Sequence, residues 1–324
     1  MDKYHIEAKF ASDLKAGADY PRLYRDFLEW FPDDEACRSY LEELRWPNGF
    51  RCPVCEASSK PWKQTRGRLV CSTCHHQTSV TSGTILDKTR IPLTTWLEVA
   101  WHMTTAKNGL SAKTVQRTLG TSYRTAWKML HQYRIAMVRS EREKLSGVVE
   151  IDETLVGGVK HGGKRGRGTS KAVVVIAVEL KEPKGFGRIR MRHIPDASGD
   201  SLVPFVSESV NVGSVVQTDG WRGYNQLQKN GYLHQPINLS SESDPAHVSM
   251  PGVHRVASLL KRWILGTHQG SASTEHLQSY LEEFTFRFNR RKSLSRGLVF
   301  RRLLEQVVVT EPVIRSEITH GYNW

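Results

Sequence analysis

The stretch Val148-Val149-Glu150-Ile151-Asp152-Glu153 decides how this chain is read. A short β-branched run of this kind predicts a strand, and it ends on carboxylates. Val215-Val216-Gln217-Thr218-Asp219-Gly220 repeats the pattern, with Asp219 lying 67 residues after Asp152. Between them, Ala172–Glu179 and Gly187–Ile194 read as two more strands and Ser201–Val210 as a helix. The order is β-β-β-α-β. Two carboxylates at the ends of neighbouring strands can bridge a pair of Mg²⁺ or Mn²⁺ ions roughly 4 Å apart, the arrangement that serves phosphodiester displacement. A carboxylate before a turn can equally be a backbone cap, so only the pair in this order points to catalysis.

Outward on the N-terminal side the pattern is helical. Trp96, Val99, Ala100 and Met103 recur at helical spacing and predict a helix over Pro92–Thr105. Ser111–Leu119, the turn Gly120-Thr121 and Ser122–Met137 have the layout of a helix-turn-helix. Ser122, Tyr123, Arg124 and Lys128 are its groove-facing candidates; an ordinary helical hairpin is the plain alternative. Further upstream, Cys52-Pro53-Val54-Cys55 and Cys71-Ser72-Thr73-Cys74 are separated by 15 residues. Two CxxC knuckles at this distance deliver four thiolates to one tetrahedral Zn²⁺, a closed and therefore structural site. Lys60, Lys63, Arg66 and Arg68 flank it and suggest a surface that touches DNA. Cys37 has no CxxC partner and reads as a core thiol.

On the C-terminal side, Leu277, Tyr280, Leu281, Phe284 and Phe288 fall on one stripe of a long helix. It ends in Arg287, Asn289, Arg290 and Arg291, a run suited to a DNA-backbone contact or to packing. Trp221 and Tyr224 read as core residues. The segment Gly157–Gly168 is glycine-rich and basic, and its Lys164, Arg165 and Arg167 suit either a phosphate clamp or a solvated loop. These readings divide the chain into a helical segment (1–45), a zinc ribbon (46–90), a helix-turn-helix region (91–140), a mixed-sheet domain (147–295) and a C-terminal tail (296–324).

Composition agrees. Forty-six Lys and Arg against 33 Asp and Glu give a net charge of +13 over 324 residues, which favours a polyanionic partner. Apolar residues at 39% supply real cores. No run approaches the roughly 20 apolar residues of a membrane span, and the charged N-terminus lacks a signal-peptide core. A cytoplasmic, nucleoid-associated protein with reduced cysteines is expected.

EIDETLVGG (150–158), TDGWRGY (218–224), HRVASLLKRWILGTHQG (254–270) and HLQSYLEEFTFRFNRR (276–291) together resemble the bacterial insertion-sequence transposases with a zinc-ribbon front end, the ISXO-like group. RWPNGFRCPVC (45–55) and CSTCHHQTSVTSGTILDKTRIPL (71–93) carry the same resemblance, which runs over roughly residues 25 to 292. It implies a ribonuclease-H-like fold of the α+β class and a DDE-type mechanism, with Asp152 and Asp219 as the first two acidic positions. The third position, usually Glu, matches His254 here, with Lys261 seven residues on and so on the same helical face. An imidazole there leaves less negative charge than a third carboxylate would. Glu153, Glu242 or Asp244 could supply the difference, or His254 could act as acid or base. The implied activity is binding of terminal inverted repeats in double-stranded DNA, cleavage of the element 3′ ends and their joining to target DNA, by at least a dimer. A DNA-binding regulator with a decayed site is the alternative.

Overall fold

The computed structural model describes residues 13–139, 141–157, 171–237, 249–270, 273–319 and 322. Lys164, Arg165 and Arg167 of the basic loop, and Glu242 and Asp244, lie outside the described residues. The chain divides into two compact units, Met1–Arg139 with Lys292–Thr319 and Ser140–Arg291 with His320–Trp324.

In the first unit, α1 (Tyr24–Trp30) and α2 (Asp34–Arg45) precede a three-stranded antiparallel ribbon, β1 (Trp62–Gln64), β2 (Arg68–Val70) and β3 (Gln77–Ser79). Asp33 caps α2 by accepting the Ala36 N–H at 2.9 Å, satisfying one of the orphan donors of its first turn. At the other end of α2 the Arg45 guanidinium donates to the carbonyls of Ser79, Val80 and Ser82, tying the helix to the end of the ribbon. Three helices follow: α3 (Leu93–Thr105), α4 (Ala112–Leu119) and α5 (Tyr123–Ala136).

The segment after residue 295 is more than the tail expected of it. Val299, Phe300, Leu303, Leu304 and Val307 give it a helical apolar stripe, and Arg296–Val307 forms a helix that packs on α3, α5 and α2. Phe300 meets Phe27, Phe31 and Trp101 with ring centroids 5.7, 6.0 and 5.4 Å away. Phe27, Phe31, Leu41 and Leu44 are likewise buried within this unit.

The second unit is built on a mixed sheet. Strands β4 (Val148–Val156), β5 (Ala172–Leu180) and β6 (Phe186–Ile194) form an antiparallel meander. Helix α6 (Gly199–Ser209) then carries the chain to β7 (Val215–Thr218), which pairs parallel with β4. A further strand, β8 (Leu233–Pro236), pairs parallel with β7, so the order across the sheet is β6-β5-β4-β7-β8. Because successive side chains alternate, β5 feeds two cores. Val174, Ile176 and Val178 face one, with α7 (Pro251–His268) and α8 (Leu277–Asn289); Val175 and Ala177 face the other, with α6. Helix α8 also covers the outer strand. Asn289 accepts the Ile189 N–H at 2.8 Å and donates to its carbonyl, and Gln278 accepts the His193 N–H at 2.9 Å. Side-chain amides thus satisfy an edge whose backbone groups would otherwise be open to another strand.

Candidate functional site

The four predicted cysteine ligands converge, and both knuckles do it in the same way. In the first, the Glu56 N–H donates to the Cys52 carbonyl and the Cys52 N–H to the Ala57 carbonyl. In the second, the His75 N–H donates to Cys71 and the Cys71 N–H to His76. Glu56 and His75 occupy equivalent left-handed positions, at φ 59° and 60°. The repeated turn aims each CxxC pair at one point. Cys52 and Cys74 sulfurs lie 3.6 Å apart and those of Cys55 and Cys71 3.7 Å, all four within 4.8 Å of one another. Tetrahedral Zn–S bonds of about 2.3 Å require sulfur–sulfur spacings of about 3.8 Å, so the cluster fits a structural zinc ion. Backbone N–H groups of Cys74 and Thr73 help lower the Cys71 thiol, whereas, against the Ala57 N–H, the neighbouring cysteines raise that of Cys55, so the crowded sulfurs give up their protons unequally. Cys37 is fully buried in α2 outside this cluster, and burial pushes its thiol up to about 12.

The two aspartates lie on adjoining parallel elements at the middle of the large sheet. Glu150 of β4 pairs with Gln217 of β7, and Asp152 and Asp219 each lie two residues further along these parallel strands. Their carboxylates also serve locally: Asp152 Oδ1 accepts the Glu153 N–H at 2.7 Å, and Asp219 Oδ1 accepts the Trp221 N–H at 2.9 Å. Tyr224 lies beneath them, fully buried, and donates to Glu153 Oε1 at 2.5 Å. Burial, followed by the charges of Glu153, Asp152 and Asp219, holds its phenol far above the ordinary range. One hydroxyl thus senses three carboxylates. Trp221 has its indole N–H on the Ala197 carbonyl at 2.7 Å and packs on the α6 core.

Helix α7 supplies His254 in its first turn and Lys261 two turns later. Burial and the charge of Lys171 lower the Lys261 ammonium, while Asp152 pulls it back up. His254 is partly buried. Among the described residues the cysteine quartet is the group of three or more ligand atoms lying within 4.8 Å of one another, and Asp152, Asp219 and His254 do not close to that distance. Glu150 escaped sequence reasoning as anything but a strand residue; it is 1% exposed and faces the start of α7. A carboxylate in the middle of an apolar strand was the available signal.

Of the residues assigned to the helix-turn-helix, Ser122, Tyr123, Arg124 and Lys128 are all exposed. Gly120 makes the turn at φ 64°, and Ser111 and Ser122 cap α4 and α5 by accepting the N–H groups of Thr114 and Thr125. Lys113 reaches over the Tyr123 ring, 5.0 Å from its centroid. The rest of α5 is core: Tyr133 donates to the Trp96 carbonyl at 2.5 Å and Gln132 to that of Ile85 at 2.6 Å. Of the two readings open for the arginine run, packing accounts for Arg291. Its guanidinium donates to the carbonyls of Gly187, Phe288 and Phe186 and lies 3.9 Å from the Phe288 ring centroid. Arg290 lies over Phe286 in the same manner, at 3.8 Å.

Among the described residues no helix is long and apolar enough to cross a membrane. Comparison with known proteins assigns the cysteine-bearing segment and the mixed-sheet segment to one family. Residues 144–289 match the ISXO2-like transposase domain, and residues 32–77 match the transposase zinc-ribbon domain. Among relatives, an uncharacterized protein in transposable element ISH50 of Halobacterium salinarum is 24% identical over 279 residues, covering 80% of this chain and 92% of that protein. An uncharacterized transposase-like protein of Haemophilus influenzae is 27% identical over 116 residues, which is 36% of this chain and 93% of the relative. With its zinc-ribbon domain ahead of its catalytic-type domain, the chain belongs to the ISXO2-like insertion-sequence transposases.

Proposed function

We propose that this transposase binds the terminal inverted repeats of its element, cleaves the element 3′ ends and joins them to target DNA at a site formed by Asp152, Asp219 and His254. The observation that carries the reading is the placement of Asp152 and Asp219 just past the last paired residues of two adjoining parallel strands. The sheet order, with a three-strand antiparallel meander followed by two parallel strands, is the order expected of a ribonuclease-H-like domain. Carboxylate oxygens and an imidazole nitrogen suit Mg²⁺ or Mn²⁺. Bound there, a metal pair would activate the attacking oxygen and stabilise the leaving 3′-oxygen of each in-line displacement.

The chain's own residues do the rest. Asp152 and Asp219 hold their carboxylates in fixed orientations through the Glu153 and Trp221 N–H groups. Tyr224 ties the Glu153 carboxylate down on the face of β4 opposite to that of Asp152. Lys261, with Lys171 near it, presents positive charge at the edge of the site, where a DNA phosphate would approach. Ser122, Tyr123, Arg124 and Lys128, exposed at the start of α5, are the residues that would read the repeat.

Replacing Asp152 by Ala and measuring end cleavage and strand transfer in Mg²⁺ tests the mechanism. Loss of both activities by at least about 10³-fold, with repeat binding retained, is the expected outcome. Full activity in that variant would remove the proposed site. Specific binding by the parent protein with no cleavage in any divalent ion would instead favour a DNA-binding regulator.

A further inference from the structure

Glu150 stands in the interior of β4, 1% exposed, two residues before Asp152 and therefore on the same face of the strand. A carboxylate so buried costs several kcal/mol, on the order of the penalty for any buried ion, unless its lone pairs are satisfied. The satisfaction comes from α7. Glu150 Oε2 accepts the Val253 N–H at 2.9 Å, and the neighbouring Gly252 N–H favours the charged form of the same carboxylate.

These are donors of the first helical turn, which have no partner within the helix. The N-cap residue does not supply one: Met250 makes no side-chain cap bond. Pro251 at the first helical position has no N–H to satisfy. The cap of α7 is therefore delivered from the strand that carries Asp152. The positive end of the helix favours an anion at that point.

The fit is close. A Cβ added at Gly252 would stand 2.7 Å from Glu150 Oε2 and 3.3 Å from Leu180 Cδ2. A side chain at 252 would push the Glu150 carboxylate out of its place against the helix end. His254 is the next residue after Val253, so whatever fixes the Val253 N–H fixes the backbone from which the imidazole projects.

We propose that Glu150 is a positioning residue of the catalytic site, holding the first turn of α7 on β4 through the N–H groups of Gly252 and Val253 and so setting His254 in register with Asp152. The proposal rests on His254 being the third ligand. Glu150 and Asp152 then form a two-point ruler on one strand face, about 7 Å long, because strand residues advance about 3.4 Å each. One point carries the helix and the other the ligand.

The test uses the zinc-loaded full chain and reads Mn²⁺ binding by calorimetry and amide exchange at Val253, alongside end cleavage. E150A should weaken Mn²⁺ binding about 10- to 100-fold, the usual cost of losing a group that orients a ligand, and should speed exchange at Val253. E150Q keeps a carbonyl acceptor and should recover most of the affinity, which a merely volume-filling residue would not require. G252A reaches the same contact from the helix side and should weaken Mn²⁺ binding with Glu150 intact; it carries the test should E150A fail to fold. A folded E150A or G252A that binds Mn²⁺ like the parent overturns the positioning role. H254A separates this from the underlying reading. If H254A weakens Mn²⁺ binding and E150A does not, the positioning role alone fails; if H254A leaves binding unchanged, the third-ligand assignment fails and takes the positioning role with it.

Discussion

The zinc ribbon and the proposed carboxylate site draw their groups by opposite routes. The four cysteines lie between residues 52 and 74, and each pair is aimed by a turn within its own knuckle. Asp152, Asp219 and His254 come from β4, from the residue after β7 and from α7, and nothing local brings them near one another. The first site is a property of two short segments and a metal. The second is a property of a whole sheet with a helix docked on it. Damage should therefore stay local in the one case and spread in the other.

Removing the zinc ligand field is the most severe way to probe this contrast. Cys71→Ser, or chelation of the metal, should abolish order in the ribbon, since zinc supplies about 10–16 kcal/mol to isolated ribbon-sized modules. Hydrogen exchange checks it. Protection at Leu69 and Val70 should vanish while that at Val174 to Val178 stays; loss in both places would break the contrast.

A smaller but more widespread effect is expected from the sheet. Ile151 is fully buried one residue before Asp152, in the core shared with α6. Ile151→Ala should cost about 2–5 kcal/mol, as large-to-small core changes do. Denaturant unfolding should show that loss across the second unit as one transition, with exchange in the ribbon unaltered. A defect confined to the neighbourhood of Asp152 would mean the carboxylate site is more local than its topology implies.

The smallest effect is an acid-side slope. Burial alone would raise the Glu179 carboxyl, but hydrogen bonds from Arg188 and from the Ser146 N–H outweigh it and the net shift is downward. A carboxyl depressed on folding stabilises fully above its unfolded value, here 4.5, and loses that contribution as pH falls through the lower folded value. Unfolding of the second unit followed from pH 6 downward should therefore be less steep in E179Q than in the parent. Identical slopes would assign no stabilising role to the Glu179–Arg188 pair.

Much of this organisation was legible in the amino acids. The helix-turn-helix stood out through Ser111, Gly120 and Ser122, because caps and a left-handed turn are local requirements with few residue choices. Strands β4 to β7 were legible as β-branched runs. Strand β8 was not: Leu233–Pro236 is mostly exposed and carries no hydrophobic alternation, so only pairing with β7 makes it a strand. The helix at Arg296–Val307 had its apolar stripe in plain view, but which unit it would join depended on aromatic partners more than 190 residues upstream, Phe27, Phe31 and Trp101.

The sequence by itself determined the cysteine cluster, the net charge of +13 and the two β-branched runs that carry Asp152 and Asp219, because each depends on residue type and short-range spacing; β4 itself continues past Asp152, where the run predicts its end, to Val156. Tertiary structure alone decided the partners that those residues acquire. It turned Arg291 inward onto three carbonyls, set Tyr224 under the carboxylates, and brought the buried Glu150 to the first turn of α7. The physical reason is the same in all three. A buried polar group must find a partner, and which partner is within reach depends on how the sheet and helices pack.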